Sequence, residues 1–229
     1  MLARLLESHE IADKVRHFTF EVPELNELSY LPGQFVSFTE NVAGKPVTRA
    51  YSTASPPKGN RFELCLNIVE DGHLSPVLFH LQPGDTIPMR GPLGYFTWRE
   101  PIKDSILVAT GTGIAPFRGM LHAYLENGGT REITLVFGVR YESSLLYRAE
   151  FESLAARYPN FDFRPTLSRP GEAWKGRRGH VQEHVLDLLG ERRDMDVYIC
   201  GMKAMVDDLR QRLKALGLDR RQIVFEKYD

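Results

Sequence analysis

Over the first 98 residues, apolar and polar positions alternate. Phe18, Phe20 and Val22 are interleaved with His17, Thr19 and Glu21, and Phe62, Leu64, Leu66 and Ile68 with Glu63, Cys65 and Asn67. A period of two puts one set on each face of a strand. Turn pairs cut the runs: Pro32-Gly33, Pro83-Gly84 and Gly91-Pro92. Short alternating runs punctuated this way predict an antiparallel sheet or small β-barrel over residues 1–98. Inside it, Ser75-Pro76 has the form of a helix N-cap with proline at the first helical position, and Val77-Leu78-Phe79 fits one short helix.

From residue 102 the pattern changes. Apolar runs at 106–110, 133–138, 161–166, 197–200 and 223–226 alternate with stretches of helical spacing. Met205, Val206, Leu209, Leu213 and Leu216 mark the last helix, and Leu145, Leu146, Ala149 and Leu154 an earlier core stripe with Glu150 and Glu152 on its wet face. Strand–helix alternation predicts a parallel sheet with covered faces, a doubly wound α/β domain over 102–229. Residues 99–101 (Arg-Glu-Pro) are the expected link. In such sheets a ligand sits beyond the carboxyl ends of the strands, where Gly111 and Gly201 fall.

The run Ile106-Leu-Val-Ala-Thr-Gly-Thr-Gly-Ile-Ala-Pro116 is the first strand of that domain breaking into a glycine turn. Phe117, Met120, Leu121, Tyr124 and Leu125 then follow at the spacing of an amphipathic helix. Glycines let a ligand approach the backbone, and a helix start offers N–H groups to phosphate. Many strand-to-helix turns carry two glycines, so the turn alone fits either a nucleotide site or an ordinary connection.

Composition narrows the classes. The chain has 229 residues, is 42 % hydrophobic and 26 % charged, and carries a formal net charge of -1. That balance describes a protein with a sizeable core and gives no bulk attraction to nucleic acid or an anionic membrane. Cys65 and Cys200 are the only cysteines, too few for a disulfide framework or a four-thiolate iron–sulfur centre. His73, His80 and His184 are expected at the surface or packed on helices, and no His/Cys/Asp grouping has metal-ligand spacing. No apolar run reaches membrane-spanning length, and the N-terminus turns polar too soon for a secretory signal, so a cytoplasmic location is expected; a monomer is expected as well.

Three further segments carry candidate chemistry. Arg49-Ala50-Tyr51-Ser52 combines a guanidinium that grips phosphate, a ring that stacks and a hydroxyl, although an ordinary strand end with an exposed arginine reads the same way. Asp71-Gly72-His73-Leu74-Ser75-Pro76 leads into the short helix. Cys200-Gly201-Met202-Lys203-Ala204-Met205 joins a strand end to a helix start, with a thiol that either faces the crevice or is a small buried side chain. The order Arg-x-Tyr-Ser, Gly-x-x-Ser, Gly-Thr-Gly-Ile-Ala-Pro, Cys-Gly-x-x-x-Met and closing Glu-x-Tyr resembles the ferredoxin–NADP reductase superfamily across essentially the whole chain.

The resemblance implies a Greek-key FAD-binding barrel followed by a Rossmann-like NAD(P)-binding domain. Arg49 would bind the FAD pyrophosphate, Tyr51 stack on the isoalloxazine and Ser52 hydrogen-bond flavin N5. Gly72 and Ser75 would cover the pyrophosphate. Gly111, Thr112 and Gly113 would cradle the nicotinamide dinucleotide, with Cys200 near the reactive carbon and Glu226 and Tyr228 near the flavin. Ser52, Cys200 and Glu226 are thus the expected catalytic residues. The expected cofactor-binding set also includes Ala50, Asn67, Ile68, Val69, His73, Leu74, Pro116, Arg177, Gly201 and Met205. Two positions depart from the family pattern: Met202 stands where many relatives have proline, and Asp229 follows the tyrosine.

Ser168-Arg169 resembles the pair that grips the 2′-phosphate in NADP-using relatives, and Lys175, Arg177 and Arg178 follow closely; a solvated basic loop is the other reading. NADP is favoured over NAD. Without iron–sulfur cysteines, electrons must pass to a separate protein or to a small molecule, and a ferredoxin or flavodoxin is expected first. The alternatives are the NADH-dependent reductase component of a multicomponent oxygenase and a non-catalytic flavoprotein electron-transfer subunit.

Overall fold

A computed structural model describes residues 1–228; Asp229, whose role the sequence leaves open, lies outside the described residues. The chain forms two compact units. One comprises Met1–Thr97 with Ala115–Tyr124, the other Trp98–Ile114 with the chain from Leu125 onward.

The first unit contains β1 (Leu2–Ala12), β2 (Val15–Glu21), β3 (Phe35–Val42), β4 (Lys45–Ser52), β5 (Arg61–Asn67), α1 (Ser75–His80) and β6 (Thr86–Leu93). The strands form one antiparallel sheet in the order β4-β3-β6-β1-β2-β5. A bridge between Thr53 and Leu64 brings the chain leaving β4 onto β5, so the two ends of the sheet meet in a barrel. β6 lies between β3 and β1, the returning connection of a Greek key. The alternation in the sequence sets the faces. Phe18, Phe20, Val22, Phe62 and Leu64 are fully buried, and the Phe20 ring stacks on Phe62 at 5.5 Å.

The face expected to be polar is not all wet. His17 is 6 % exposed, with its ring 5.2 Å from His9 and its Nε2 3.6 Å from Glu63, and Cys65 is buried. The segment Ala115–Tyr124 clusters with the barrel, and its Arg118 reaches this face, pairing with Glu63 and donating to the Ala54 carbonyl at 2.7 Å. The expected cap at Ser75 is also different. Leu74 precedes the helix, Ser75 is its first residue, and the Ser75 hydroxyl accepts from the Val69 N–H at 2.9 Å. The hydroxyl closes the preceding loop instead of capping the helix.

The second unit carries β7 (Ser105–Thr110), β8 (Ile133–Val139), β9 (Phe161–Leu167), β10 (Arg177–Arg178), β11 (Asp196–Met202) and β12 (Ile223–Tyr228). All pair in parallel, in the order β10-β9-β8-β7-β11-β12. The strand order reverses between β7 and β11, the switch point beside which ligands bind in such sheets. α4 (Val181–Leu189) and α5 (Lys203–Ala215) cover one face, burying Val185, Leu189, Leu209 and Leu213 against Ile106, Val108, Val197 and Ile199. α3 (Arg148–Arg157) sets Phe151 against Phe163 of β9 at 5.3 Å. Ala149, expected in that stripe, is exposed, and Phe151 takes its place, because the helix starts only at Arg148 and its phase is set from there. α2 (Ala115–Glu126) leads from β7 towards β8.

Candidate functional site

In the first unit, the end of β4 presents Arg49 and Tyr51 two residues apart, hence on one face of the strand. Arg49 is exposed and donates to the Thr48 carbonyl at 2.9 Å. Tyr51 is half-buried, with its ring 5.9 Å from Phe38, and burial pushes its phenol up to about 12 against the opposing charge of Arg49. Ala50 is exposed, whereas Ser52 is buried. An exposed cation beside a half-buried ring, both rooted in a closed barrel, suits a ligand that joins a flat heterocycle to a phosphate.

The loop from Asn67 to Ser75 is held by its own hydrogen bonds. Ile68 N–H donates to the Lys14 carbonyl at 2.9 Å, and Gly72 N–H to the Val69 carbonyl at 2.8 Å. Asn67, Val69 and His73 are exposed, and Ile68 and Gly72 half-buried. The Leu74 side chain belongs to the barrel core at 1 % exposure, so of this expected binding residue only the backbone is left to meet a ligand.

In the second unit, Gly111–Ile114 form a single 3-10 turn at the end of β7. Gly111 is exposed, Thr112 half-buried and Gly113 buried. A Cβ on Gly113 would lie 2.4 Å from the Cys200 carbonyl oxygen, so the turn sits directly on the end of β11. The Met202 N–H reaches the Thr110 hydroxyl at 3.3 Å, a second tie across the switch point. Parallel pairing sets Cys200 opposite Glu226 and Met202 opposite Tyr228. The expected trio Cys200, Glu226 and Tyr228 therefore gathers on β11 and β12.

Cys200 is fully buried. Burial raises its thiol well above the ordinary value, the charge of Glu226 raises it further, and a hydrogen bond with Tyr228 opposes both. Such a thiol is neutral at physiological pH and offers bulk and an S–H group, not a nucleophile. Gly201 is buried, whereas Met202, at the position where many relatives carry proline, is 61 % exposed. Met205 is a core side chain of α5, and Pro116 is buried in the first turn of α2, in the segment that clusters with the barrel.

Beyond β9, Ser168 is half-buried and Arg169 exposed. Their N–H groups donate to the carbonyls of Val139 and Arg140, at 3.0 and 2.9 Å. Arg177, on β10, pairs with Thr166 and is exposed. Exposed arginines thus stand directly after β8 (Arg140), just beyond β9 next to Ser168 (Arg169) and on the edge strand β10 (Arg177). Arg140 was not apparent from the motif; its signal in the sequence is a basic residue directly after an apolar strand, in the place that Ser168 holds after the next one. Among the described residues, no helix is long and apolar enough to cross a membrane.

Residues 2–98 match the oxidoreductase FAD-binding domain family, and residues 107–211 the oxidoreductase NAD-binding domain family. The chain is 39 % identical over 237 residues to ferredoxin–NADP reductase B of Sorangium cellulosum, covering 99 % of this chain and 97 % of that one. It is 31 % identical over 220 residues to the toluate 1,2-dioxygenase electron transfer component of Pseudomonas putida, covering 96 % of this chain and 65 % of that one. Among solved structures, a cytochrome P450 reductase from Amycolatopsis superposes with a TM-score of 0.88 at 28 % identity, over 98 % of this chain and 68 % of that one. A ferredoxin NADP+ reductase from Neisseria gonorrhoeae with bound FAD and NADP shares the fold, with a TM-score of 0.84 at 23 % identity, over 99 % and 98 %.

An antiparallel barrel of the FAD-binding family followed by a parallel sheet of the NAD-binding family defines a two-cofactor flavoprotein oxidoreductase. Its cofactors are FAD and a nicotinamide dinucleotide. The chain belongs to the ferredoxin–NADP reductase superfamily.

Proposed function

We propose that the protein transfers hydride between NADPH and FAD and passes electrons singly to a separate ferredoxin or flavodoxin. The observation that carries the choice of NADPH is the set of exposed arginines, Arg140, Arg169 and Arg177, that neighbouring parallel strands bring to the backbone vicinity of Ser168. Guanidinium groups grip a phosphate monoester bidentately, and the 2′-phosphate is what separates NADPH from NADH. The match to a ferredoxin–NADP reductase over nearly the full length of both chains supports the carrier.

When bound, FAD takes up hydride as a pair of electrons and gives them up singly. The chain's own residues supply orientation and charge. Arg49 would hold the pyrophosphate, Tyr51 would pack on the flavin ring and Ser52 would hydrogen-bond N5. Asn67, Val69 and Gly72 with Ser75 line the remainder of the FAD-binding surface. Gly111, Thr112 and Gly113 would receive the dinucleotide, with the neutral Cys200 thiol, Glu226 and Tyr228 beside them on β11 and β12. The working form is a cytoplasmic monomer, with residues 1–98 as the FAD-binding domain and 102–229 as the dinucleotide-binding domain.

The second reading is an NADH-dependent reductase component of an oxygenase, favoured by the 31 % identity to the toluate dioxygenase component. Stopped-flow reduction of the purified yellow protein by NADPH and NADH in parallel separates the two. Faster bleaching at lower concentration is expected with NADPH, and Arg169→Ala is expected to raise the NADPH KM far more than the NADH KM. Equal effects on both nucleotides reject the NADPH assignment, and a flavin reduced by neither rejects the enzyme.

A further inference from the structure

The basic loop between β9 and α4 is built around a buried indole. Trp174 is only 6 % exposed, although its neighbours from Gly171 to Ala173 and from Lys175 to His180 are all exposed. Its Nε1–H donates to the Arg177 carbonyl at 2.8 Å, and its backbone N–H to the Gly171 carbonyl at 3.2 Å. The Arg178 guanidinium turns back onto the Trp174 carbonyl at 2.9 Å, so that arginine is spent inside the loop. Arg148 of α3 stands 5.4 Å over the indole ring and is itself held by Glu142 and Glu152. A Cβ on Gly176 would lie 2.4 Å from the ring, so the chain passes as close to the indole as a glycine allows.

The ends of the loop are fixed separately. Ser168 and Arg169 are tied to β8, and Gly179 N–H donates to the Leu167 carbonyl at 2.9 Å. The Thr166 hydroxyl donates to the Gly179 carbonyl at 3.0 Å. Between these ends the loop meets β9 only through the two-residue strand Arg177–Arg178, where Arg177 lies opposite Thr166, and Lys175 and Gly176 have no strand partner. The indole N–H on the Arg177 carbonyl is the side-chain bond that holds the stretch from Lys175 to Arg177.

We propose that Trp174 is a positioning residue for recognition of the dinucleotide 2′-phosphate: its N–H on the Arg177 carbonyl and its buried ring hold Arg177 in register with Ser168 and Arg169. The inference rests on the NADPH reading of that loop and adds to it the residue that sets the loop's shape. Two cations recognise one phosphate well only if neither must be ordered at the moment of binding. A loop left to fluctuate costs affinity for the 2′-phosphate and nothing for the rest of the dinucleotide.

The test uses the FAD-loaded protein in four forms: wild type, Arg169→Ala, Trp174→Phe and Gly176→Ala. Trp174→Phe keeps an aromatic ring under Arg148 and deletes the N–H donor; Gly176→Ala keeps the indole and pushes it aside. Calorimetry measures binding of adenosine 2′,5′-bisphosphate, and steady-state kinetics give KM and kcat for NADPH and NADH. Both loop variants are expected to weaken the bisphosphate by roughly 5- to 20-fold, the scale of one lost hydrogen bond plus loop ordering. They are expected to raise the NADPH KM in step and leave the NADH KM and both kcat values unchanged. If Arg169→Ala loses bisphosphate affinity while both loop variants retain it, the positioning role is overturned and the NADPH reading stands. If the loop variants raise both KM values alike, Trp174 is merely structural and the proposal is again overturned. If wild type shows no preference for the 2′-phosphate, the NADPH reading itself falls, and the role of Trp174 with it.

Discussion

Gly113 and Cys200 touch through their backbones. A Cβ at position 113 would stand 2.4 Å from the Cys200 carbonyl oxygen and 2.6 Å from its carbon, with the Gly201 Cα at 2.8 Å. None of these atoms is the end of a flexible side chain. The turn after β7 therefore closes onto β11 only if residue 113 has no side chain, and the glycine serves the protein's own packing as much as any ligand.

Gly113→Ala should be destabilising by about 2–3 kcal/mol, because the strain falls on two pieces of backbone in a buried corner. The melting midpoint should drop by roughly 5–10 °C for a chain of this size. Gly111→Ala is the control. Gly111 has φ +55 with open space where a Cβ would go, so its cost is only the left-handed conformation, about 1 kcal/mol. Thermal denaturation of both variants checks the order; equal losses would mean that the contact with Cys200 does not limit packing.

The periodicities reached most of this architecture because they encode which face of an element is dry. Phe18, Phe20 and Val22 are buried as their alternation requires, and the run from Ile106 to Thr110 is the central strand β7. What escaped were features set by partners distant in sequence. His17 lies on the alternation's polar face, yet it is buried beneath contacts that include Glu63. Nothing in the sequence near His17 says that a segment a hundred residues on, Ala115–Tyr124, would cluster with the barrel. The strand β10 is two residues long and apolar nowhere, so no pattern marks it. At the candidate site, the glycine turn and the Arg-x-Tyr-Ser strand end were legible as motifs, whereas Arg140 and Trp174 act through strand neighbours and loop closure, which exist only once the chain is folded.

Arg118 and Glu63 offer a measurable case of such a long-range partner. Their side chains are 17 % and 30 % exposed, and Arg118 also donates to the Ala54 carbonyl, two residues beyond Ser52. Removing one partner leaves the other charge half-desolvated. Arg118→Met should therefore lower stability by about 1–3 kcal/mol, and the double variant with Glu63→Gln should recover part of that loss. The exposed pair Lys14–Glu70, at 57 % and 69 %, should show a much smaller coupling, because solvent screens it. Urea denaturation of the two double-mutant cycles makes the comparison, and equal couplings would refute the role of burial.

Arg193 joins the ends of two helices. Its guanidinium donates to the Gly190 carbonyl at the end of α4 and to the Leu216 carbonyl at the end of α5, each at 2.8 Å. These are terminal carbonyls that intrahelical bonding leaves unpaired. Arg193→Ala should cost about 1–2 kcal/mol, and Arg193→Lys should restore less than half of it, because one ammonium lacks the planar fork that spans both sites. Full rescue by lysine in chemical denaturation would show that charge alone suffices.

Alkaline pH should unfold the protein through groups that burial keeps protonated. Tyr30, Tyr51 and Tyr198 are each pushed from 10.0 up to about 12, burial being the leading cause in all three, and the buried Cys200 thiol is raised above 9.0. Tyr30 is 7 % exposed, with its hydroxyl 3.0 Å from the Ser55 Oγ; Tyr198 is 1 % exposed and its hydroxyl accepts the Arg99 N–H at 3.0 Å. Between the ordinary and the raised values, the unfolded chain has lost these protons and the folded chain still holds them. Fewer protons bound in the unfolded state means that stability falls as pH rises. The contribution is complete below pH 9, begins to fade as the thiol of the unfolded chain ionises, and declines steeply from pH 10 towards 12. Urea midpoints taken at pH 8, 9, 10 and 11 should be level across the first two and then fall. Absorbance at 295 nm should show part of the nine tyrosines ionising only together with loss of circular dichroism. Tyr198→Phe, which removes one ionisable phenol, should flatten the decline above pH 10. Ionisation of all nine phenols near pH 10 with native dichroism intact would contradict the buried states assigned to these three residues.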